Sequence, residues 1–343
     1  MLVYGSLMRI DSGLSGNLST AAAEAVALEE KGFHGVFSAE TSHDPFFPLF
    51  AAAQATERVE LMTSIAVAFA RNPMITAVTA NDLHLASKGR FVLGLGSQIK
   101  PHIEKRFSMP WSGKPASQMR EFILAMRAIW SAWNDRTKLE FRGEYYKHTL
   151  MTPFFDPGPN PFGTPKVFLA GVGKGMTEVA GETCDGFLAH PFTTERYLRE
   201  VTLPALERGM KTGERSRETF QIGLTAMVVS GNSEEQMTSA KNIILSQIGF
   251  YGSTPAYRGV LELHGWGDLQ TELNSLSKQG KWADMNAIID DDVLNAFAVI
   301  AEPGQAAGAI RARYGDVADR MSLYFGLAPE VNEQITADLR AGN

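Results

Sequence analysis

KVFLAGVGKGMTEVAGETCDGFLAH, residues Lys166–His190, holds one full repeat of the fold. It opens on a short apolar run, Lys166–Ala170, passes through a glycine-rich turn into a helix, and returns in a second short run, Gly186–Leu188. A strand, a helix and a strand in so few residues is the unit of a parallel sheet. Working outward, the same alternation recurs. Leu2–Met8, Gly35–Ala39, Val59–Ala66 and Phe91–Leu95 read as strands one to four, and Phe220–Val229 and Arg320–Phe325 as strands seven and eight. Eight strands separated by helices is the number that closes a (β/α)₈ TIM barrel, an α/β fold.

Helix signals fall between them. Ser19–Lys31 is an Ala/Glu-rich helix stopped at Gly32, and Asn72-Pro73 is a cap followed by a first-turn proline. Met119, Phe122, Ile123, Met126, Trp130 and Trp133 fall on one stripe of a helix of about four turns. Ser233-Glu-Glu-Gln236 matches a capping box. Lys138–Lys147 reads as a small hairpin, Thr152–Pro165 as a proline-rich loop, and Pro329–Arg340 as a closing helix. The piece between strands seven and eight exceeds one crossover. Residues 250–290 within it read as an insertion of turns and short helices, the whole chain 1–343 being one domain.

Composition narrows the function. The formal net charge is −6, with both signs dispersed, which argues against nucleic acid or an anionic membrane as partner. No stretch has the length of apolar sequence that a membrane span needs, and Met1–Ile10 lacks the pattern of a signal peptide. The one cysteine, Cys184, suits a reducing cytosol, so the expected location is cytoplasmic. There is no metal-ligand spacing and no Gly-x-Ser-x-Gly elbow.

Barrel enzymes keep their chemistry at the C-terminal strand ends. After strand two, Glu40, Thr41, Ser42 and His43 form a group able to relay a proton, or else a plain polar turn before Pro45. After strand three, the small residues Thr63-Ser64-Ile65-Ala66 admit either a flat ring or an interior layer. After strand four, Gly94 and Gly96 lead to Ser97, Gln98, Lys100 and His102, which suit a polar or anionic ligand. After strand five, the turn Gly171-Val172-Gly173-Lys174-Gly175-Met176 points helix N–H groups at a phosphate, without the spacing of a Walker loop or a dinucleotide fingerprint. His190 follows strand six and lines the same mouth. His34, His84, His148 and His264 read as structural or surface residues.

The segments GFHGVFSAET (Gly32–Thr41), ARNPMITA (Ala70–Ala77), KGRFVLGLGS (Lys88–Ser97), MREFILAMRAIW (Met119–Trp130), GEYYKH (Gly143–His148), VFLAGVGKGMTEVAGETCDGF (Val167–Phe187) and DRMSLYF (Asp319–Phe325), in this order, carry a resemblance. The chain resembles the luciferase-like monooxygenase superfamily, above all its F420-dependent oxidoreductase branch. The resemblance implies a barrel with a cofactor ring at the strand ends, backed by a non-proline cis peptide at Ser64–Ile65. It implies that Gly171, Val172, Gly173, Lys174, Gly175 and Met176 hold the phosphate, and that Ser97, Gln98 and Lys100 of the loop after strand four also bind the cofactor. Some deazaflavin-dependent dehydrogenases of the family carry Asp-His at the end of strand two, where this chain has Glu40-Thr41. Glu40 then keeps the acidic role towards the ring, and the histidine role is vacant or passes to His43 or His102, with His102 and His190 facing the substrate.

F420 passes a hydride and reacts poorly with oxygen, whereas FMN supports oxygenation. The tail of F420 is anionic, and Lys100, His102, Lys105 and Arg106 either meet it or form a solvated basic face. The expected function is hydride transfer between F420 and a small organic substrate. The alternatives are a two-component FMN monooxygenase and a non-catalytic flavin- or deazaflavin-binding barrel. Relatives often pair through helices beside strands two and three, so the apolar run Pro45–Ala55 is the candidate surface of a homodimer, or ordinary core.

Overall fold

The computed structural model describes residues 8–342. Eight parallel strands form the barrel: β1 (Arg9–Gly13), β2 (Gly35–Ser38), β3 (Glu60–Thr63), β4 (Phe91–Gly96), β5 (Lys166–Gly171), β6 (Gly186–Ala189), β7 (Gln221–Val229) and β8 (Arg320–Leu323). Each pairs with the next, and β8 pairs with β1, which closes the ring.

The first strand differs from the expected one. Residues 2–7 of the expected Leu2–Met8 run lie outside the described residues, and Met8 is not in a strand. The first staves instead are RIDSG, Arg9–Gly13. This strand escapes a hydrophobic pattern because its interior residue is Asp11, which receives Arg320 from β8 through two bonds of 2.7 and 2.9 Å. Glu60 of β3 also contacts Arg320, and Arg9 reaches Glu60 at 3.0 Å. Arg320 is only 1% exposed, so the charges at the N-terminal end of the barrel are satisfied by one another rather than by water. A side chain on Gly35 would sit 2.6 Å from both Arg320 and Asp11, so the cluster needs glycine there.

Further up, the interior is filled by Met62, Val92, Phe168 and Leu188. Large rings face missing side chains: a Cβ on Gly186 would lie 2.6 Å from the Phe168 ring. A Cβ on Gly94 would lie 1.9 Å from the Thr63 carbonyl oxygen, so these two backbones touch directly. The barrel is a packed core, and only its mouth is open to chemistry.

Around it run α1 (Ala21–Glu30), α2 (Phe46–Ala55), α3 (Pro73–Ala86), α4 (Pro115–Asn134), α5 (Lys174–Thr183), α6 (Leu203–Thr212) and α7 (Glu234–Gly252). Their starts follow the sequence. Asn72 accepts from the Ile75 N–H at 3.0 Å with Pro73 in the first turn. Ser233 accepts from Gln236 N–H at 3.3 Å, and the Gln236 side chain accepts from the Asn232 N–H at 2.8 Å, one residue before the position a capping box uses. The expected stripe on α4 is buried throughout, with Trp130 Nε1 donating to the Ala77 carbonyl at 3.1 Å.

Between β7 and β8, after α7, come four shorter helices, Arg258–Glu262, Gly267–Lys278, Trp282–Ala287 and Asp291–Phe297. A short strand, Ala298–Ile300, extends beside β7, and the helix Pro303–Tyr314 follows. This segment builds a second core from residues such as Ile248, Leu261, Leu273 and Phe297. Phe192 and Tyr324, just past the ends of β6 and β8, belong to that core, so the segment is seated at the barrel's mouth.

Candidate active site

Strand ends tied to one another build the near wall of the mouth. The Glu40 N–H donates to the Ile65 carbonyl at 3.2 Å, and the Ser64 N–H to the Ser38 carbonyl at 2.8 Å. The Ser64–Ile65 peptide is cis, as the resemblance implies. The expected continuous third strand stops at Thr63 and resumes as Ala66–Val67, which pairs with Leu95 and Gly96 of β4. A Cβ on Gly96 would lie 2.8 Å from Ile65 Cγ1, so glycine lets β4 pass against this turn. Ser64 and Ile65 are half-buried and remain open towards the mouth.

The Glu40 carboxylate turns away from a free acid's role. Its Oε2 accepts from the Val67 N–H at 2.7 Å and from Arg71 Nη1 at 2.6 Å. Arg71 also reaches Asp44 at 3.1 Å and lies over the Phe46 ring, 5.4 Å from its centre. Thr41 and His43 are exposed, Arg106 donating to the Thr41 carbonyl.

At the next strand end, after β4, Ser97 and Gln98 are half-buried. The Ser97 hydroxyl donates to the Gln98 carbonyl at 3.1 Å, and Gln98 is held at φ 58°, a left-handed backbone that few non-glycine residues adopt. Lys100 and His102 are exposed on the outer rim, where Lys100 lies 3.8 Å from Glu104.

The turn after β5 leads into α5 with Gly173 as cap residue, and no side chain caps the first turn. Gly173, Lys174 and Gly175 are exposed, and a Cβ on Gly173 would meet nothing within 4 Å. The open first-turn N–H groups are a ready anion site, and Lys174 adds positive charge beside them. At the far end of this helix Cys184 is buried and its thiol is pushed up to about 12 by burial, so it is no nucleophile.

The far wall is built on His190, expected there from its place after β6, and on tyrosines from the piece between β7 and β8. His190, next after β6, accepts from the Phe192 N–H through Nδ1 at 3.0 Å. Tyr251 and Tyr257 pack against its ring at 4.7 and 4.8 Å between centres. Burial, with no charged partner, holds the imidazole down to about 4, so it is neutral at physiological pH. The Tyr251 and Tyr324 hydroxyls are 2.8 Å apart, and Tyr324 donates to Gln247 Oε1 at 2.9 Å. A small hollow lined by Gly171, Val172, Ala189, His190, Thr193 and Tyr197 joins this wall to the glycine turn.

Of the expected site residues, the structure brings Glu40, Ser64, Ile65, Ser97 and Gln98 to neighbouring strand ends, and Gly171–Met176 and His190 to the next two. Thr41, His43, Lys100 and His102 stay on the exposed rim. His34 and His84 are framework residues, bonded to Ile10 N–H and to the Phe91 and Phe162 carbonyls. The sequence reading did not single out Arg71, Tyr257 or Tyr324. For Tyr324 the signal was its place just past the last barrel strand; for Arg71 it was a lone cation facing the Glu40 loop.

The profile of the luciferase-like monooxygenase family matches residues 4–320. An uncharacterised protein of Mycobacterium tuberculosis is 53% identical over 323 residues, covering 94% of this chain and 95% of its own. An F420-dependent glucose-6-phosphate dehydrogenase of Intrasporangium calvum is 25% identical, with 83% of this chain and 82% of the relative covered. Among solved structures, the coenzyme F420-dependent tetrahydromethanopterin reductase of Methanopyrus kandleri superposes with a TM-score of 0.76 at 19% identity, over 98% of both chains.

Proposed function

Since the chain belongs to the luciferase-like monooxygenase family, we propose that it is an F420-dependent oxidoreductase that transfers a hydride between the deazaflavin and a small organic substrate. The observation that carries this reading is the uncapped start of α5 at Gly173, facing the same mouth as the half-open Ser64–Ile65 turn. A phosphate needs unsatisfied N–H donors, and a flat ring needs a small-residue floor; here they lie at the ends of β5 and β3, with β4 between them. F420, when bound, supplies two-electron hydride chemistry. The relatives named as F420-dependent support the choice of deazaflavin over FMN.

The chain's own residues have distinct parts in it. Gly171, Val172, Gly173, Gly175 and Met176 present backbone to the phosphate, and Lys174 supplies charge. Ser64 and Ile65 support the ring, with Ser97, Gln98 and Lys100 at the neighbouring strand end. Glu40 holds the end of β3 through Val67 and Arg71, so its part is positioning. Thr41 and His43 on one rim, and His102 on the other, are the groups free to exchange protons with solvent, while His190 faces the substrate.

The protein is proposed to act as a homodimer. Phe47 and Phe50 of α2, and Ile75, Val78 and Leu85 of α3, are exposed at 42% or more on two helices that pack side by side. Solvent-facing apolar side chains at helical spacing form the kind of patch a partner covers. A cytoplasmic setting is part of the same reading, supported by the single buried, unpaired Cys184.

The test is binding. Purified protein titrated with F420 is expected to perturb the cofactor's visible absorbance, with affinity reduced by Lys174→Ala. Tight binding of FMN with no response to F420 rejects the deazaflavin reading. Oxygen uptake with supplied reduced FMN would replace it with monooxygenation.

A further inference from the structure

We infer that the His190–Tyr257 pair forms a subsite for an uncharged, mainly apolar substrate that presents one carbonyl or hydroxyl oxygen. This rests on the reading of the mouth as an oxidoreductase site, and it names the class of compound that site takes.

The argument starts from proton positions. His190 Nδ1 accepts the Phe192 N–H at 3.0 Å, so in the neutral ring the proton resides on Nε2. Nε2 faces the Tyr257 hydroxyl at 3.5 Å, a long contact in which the ring donates and the hydroxyl accepts. The Tyr257 proton then has no acceptor among the described residues. Its neighbours offer none: the Tyr251 hydroxyl meets Tyr324, and Tyr324 donates to Gln247. One half-buried donor is left over, and a ligand oxygen is what completes it.

Charge excludes other ligands. The imidazole is neutral, and burial raises Tyr251, Tyr257 and Tyr324, so none of these groups carries charge at neutral pH. The adjacent cation, Arg258, is spent on Glu262, Gln270 and Thr271 at 2.6, 2.9 and 3.0 Å. A carboxylate or phosphate placed against Tyr257 would lose its hydration for a single hydrogen bond and no countercharge. The surrounding surface is aromatic: Phe192 lies 6.0 Å from Tyr257, and Phe250 lies 5.3 Å from Tyr251. Such walls accept flat or alicyclic carbon frames.

The probes are cyclohexanone and cyclohexanecarboxylate, similar in size and different in charge, titrated into the full chain at neutral pH and followed by saturation-transfer NMR. Cyclohexanone is expected to bind at least tenfold more tightly than the carboxylate. Tyr257→Phe is expected to weaken the ketone about three- to tenfold, the range of one neutral hydrogen bond. His190→Gln, which keeps an acceptor for the Phe192 N–H, should retain part of the ketone affinity, and His190→Phe should lose it. Near-UV circular dichroism verifies that each variant is folded. Equal or tighter carboxylate binding, no ketone binding, or a Tyr257→Phe variant that binds the ketone like wild type would each overturn the inference. F420 binding, read separately by absorbance in the same variants, tells this failure from that of the cofactor reading: Tyr257 lies outside the glycine turn and its loss should leave the cofactor titration unchanged.

Discussion

Arg71 Nη1 lies 2.6 Å from Glu40 Oε2, so the carboxylate past the end of β2 is bound to a cation from the loop just before α3. Both side chains are largely buried, at 17% and 8% exposure. Removing one partner leaves the other charged and enclosed, which typically costs about 3–5 kcal/mol. Arg71→Met is therefore expected to destabilise strongly. Glu40→Gln should cost less, because its amide oxygen still accepts from Val67 and Arg71 keeps Asp44. Urea midpoints of the two variants measure the difference. A Glu40→Gln variant as unstable as Arg71→Met would show that the pair does not anchor this turn.

A related argument holds at the opposite end of the barrel. Arg320 is enclosed by Asp11 and Glu60, and these carboxylates raise its pKa despite burial. Arg320→Met would strand two interior carboxylates with only Arg9 left beside Glu60. A loss on the order of 3–5 kcal/mol is expected, with no direct effect on ligands at the mouth. Denaturation and F420 titration of the same variant separate the two; a stable variant with impaired binding would contradict this division of labour.

These two clusters mark where sequence reading stopped. Strands β2 to β8 were visible because their apolar runs alternate with capped helices, and the glycine turn at 171–175 announced itself by composition. β1 was misplaced because Asp11, an interior residue, breaks the apolar pattern and is justified only by Arg320, over three hundred residues away. The residues expected at the near wall do lie at strand ends. The pairing of Glu40 with Arg71 was not legible, since it depends on how α3 is set against β2. His190 was found from its position after β6. Of its tyrosine partners, Tyr251 near the end of α7 was one of several aromatics that hinted at an apolar pocket, whereas Tyr257 lies in the turn after that helix, and no spacing paired either with His190.

Gly96 tests the floor proposed for the cofactor ring. A methyl group there would approach Ile65 Cγ1 to 2.8 Å, closer than side chains tolerate. Gly96→Ala should push the Ser64–Ile65 turn into the mouth and weaken F420 binding at least severalfold. Ile65→Ala removes the colliding atoms. The double variant should then bind better than the two single losses predict, a coupling that a thermodynamic cycle reads directly. Strictly additive losses would mean that this turn does not touch the cofactor.

The dimer proposal makes a concentration-dependent prediction. Phe47 and Phe50 project from α2 and Ile75 from α3, all more than half exposed in the single chain. Phe47→Asp with Ile75→Asp places two desolvation-averse charges in the patch while leaving the core of each helix intact. Sedimentation velocity should show a dimer for the wild type and a monomer for the double variant, with unchanged far-UV circular dichroism. A wild type that sediments as a monomer at micromolar concentration removes the proposal.

His190 sets the last expectation, which concerns acid. Its folded pKa, about 4, lies below the ordinary histidine value of 6.5, and the cause is burial. Between those values the unfolded chain binds a proton that the folded chain refuses, so stability falls as pH drops from 6.5 towards 4 and is level above 6.5. One fully excluded proton corresponds to a slope of at most about 1.4 kcal/mol per pH unit. Burial also lowers His34, His84, His148 and His264, which act in the same direction, so His190→Gln should flatten the slope without abolishing it. Carboxylates with lowered values, such as Glu60, begin to lose their native-state advantage below about pH 4.5, so the comparison belongs between pH 6.5 and 5. Urea unfolding at half-unit intervals over that window gives the two slopes. Parallel curves for wild type and variant would mean that His190 is charged or solvated in the native protein, and the donor arrangement assigned to Tyr257 would lose its foundation with it.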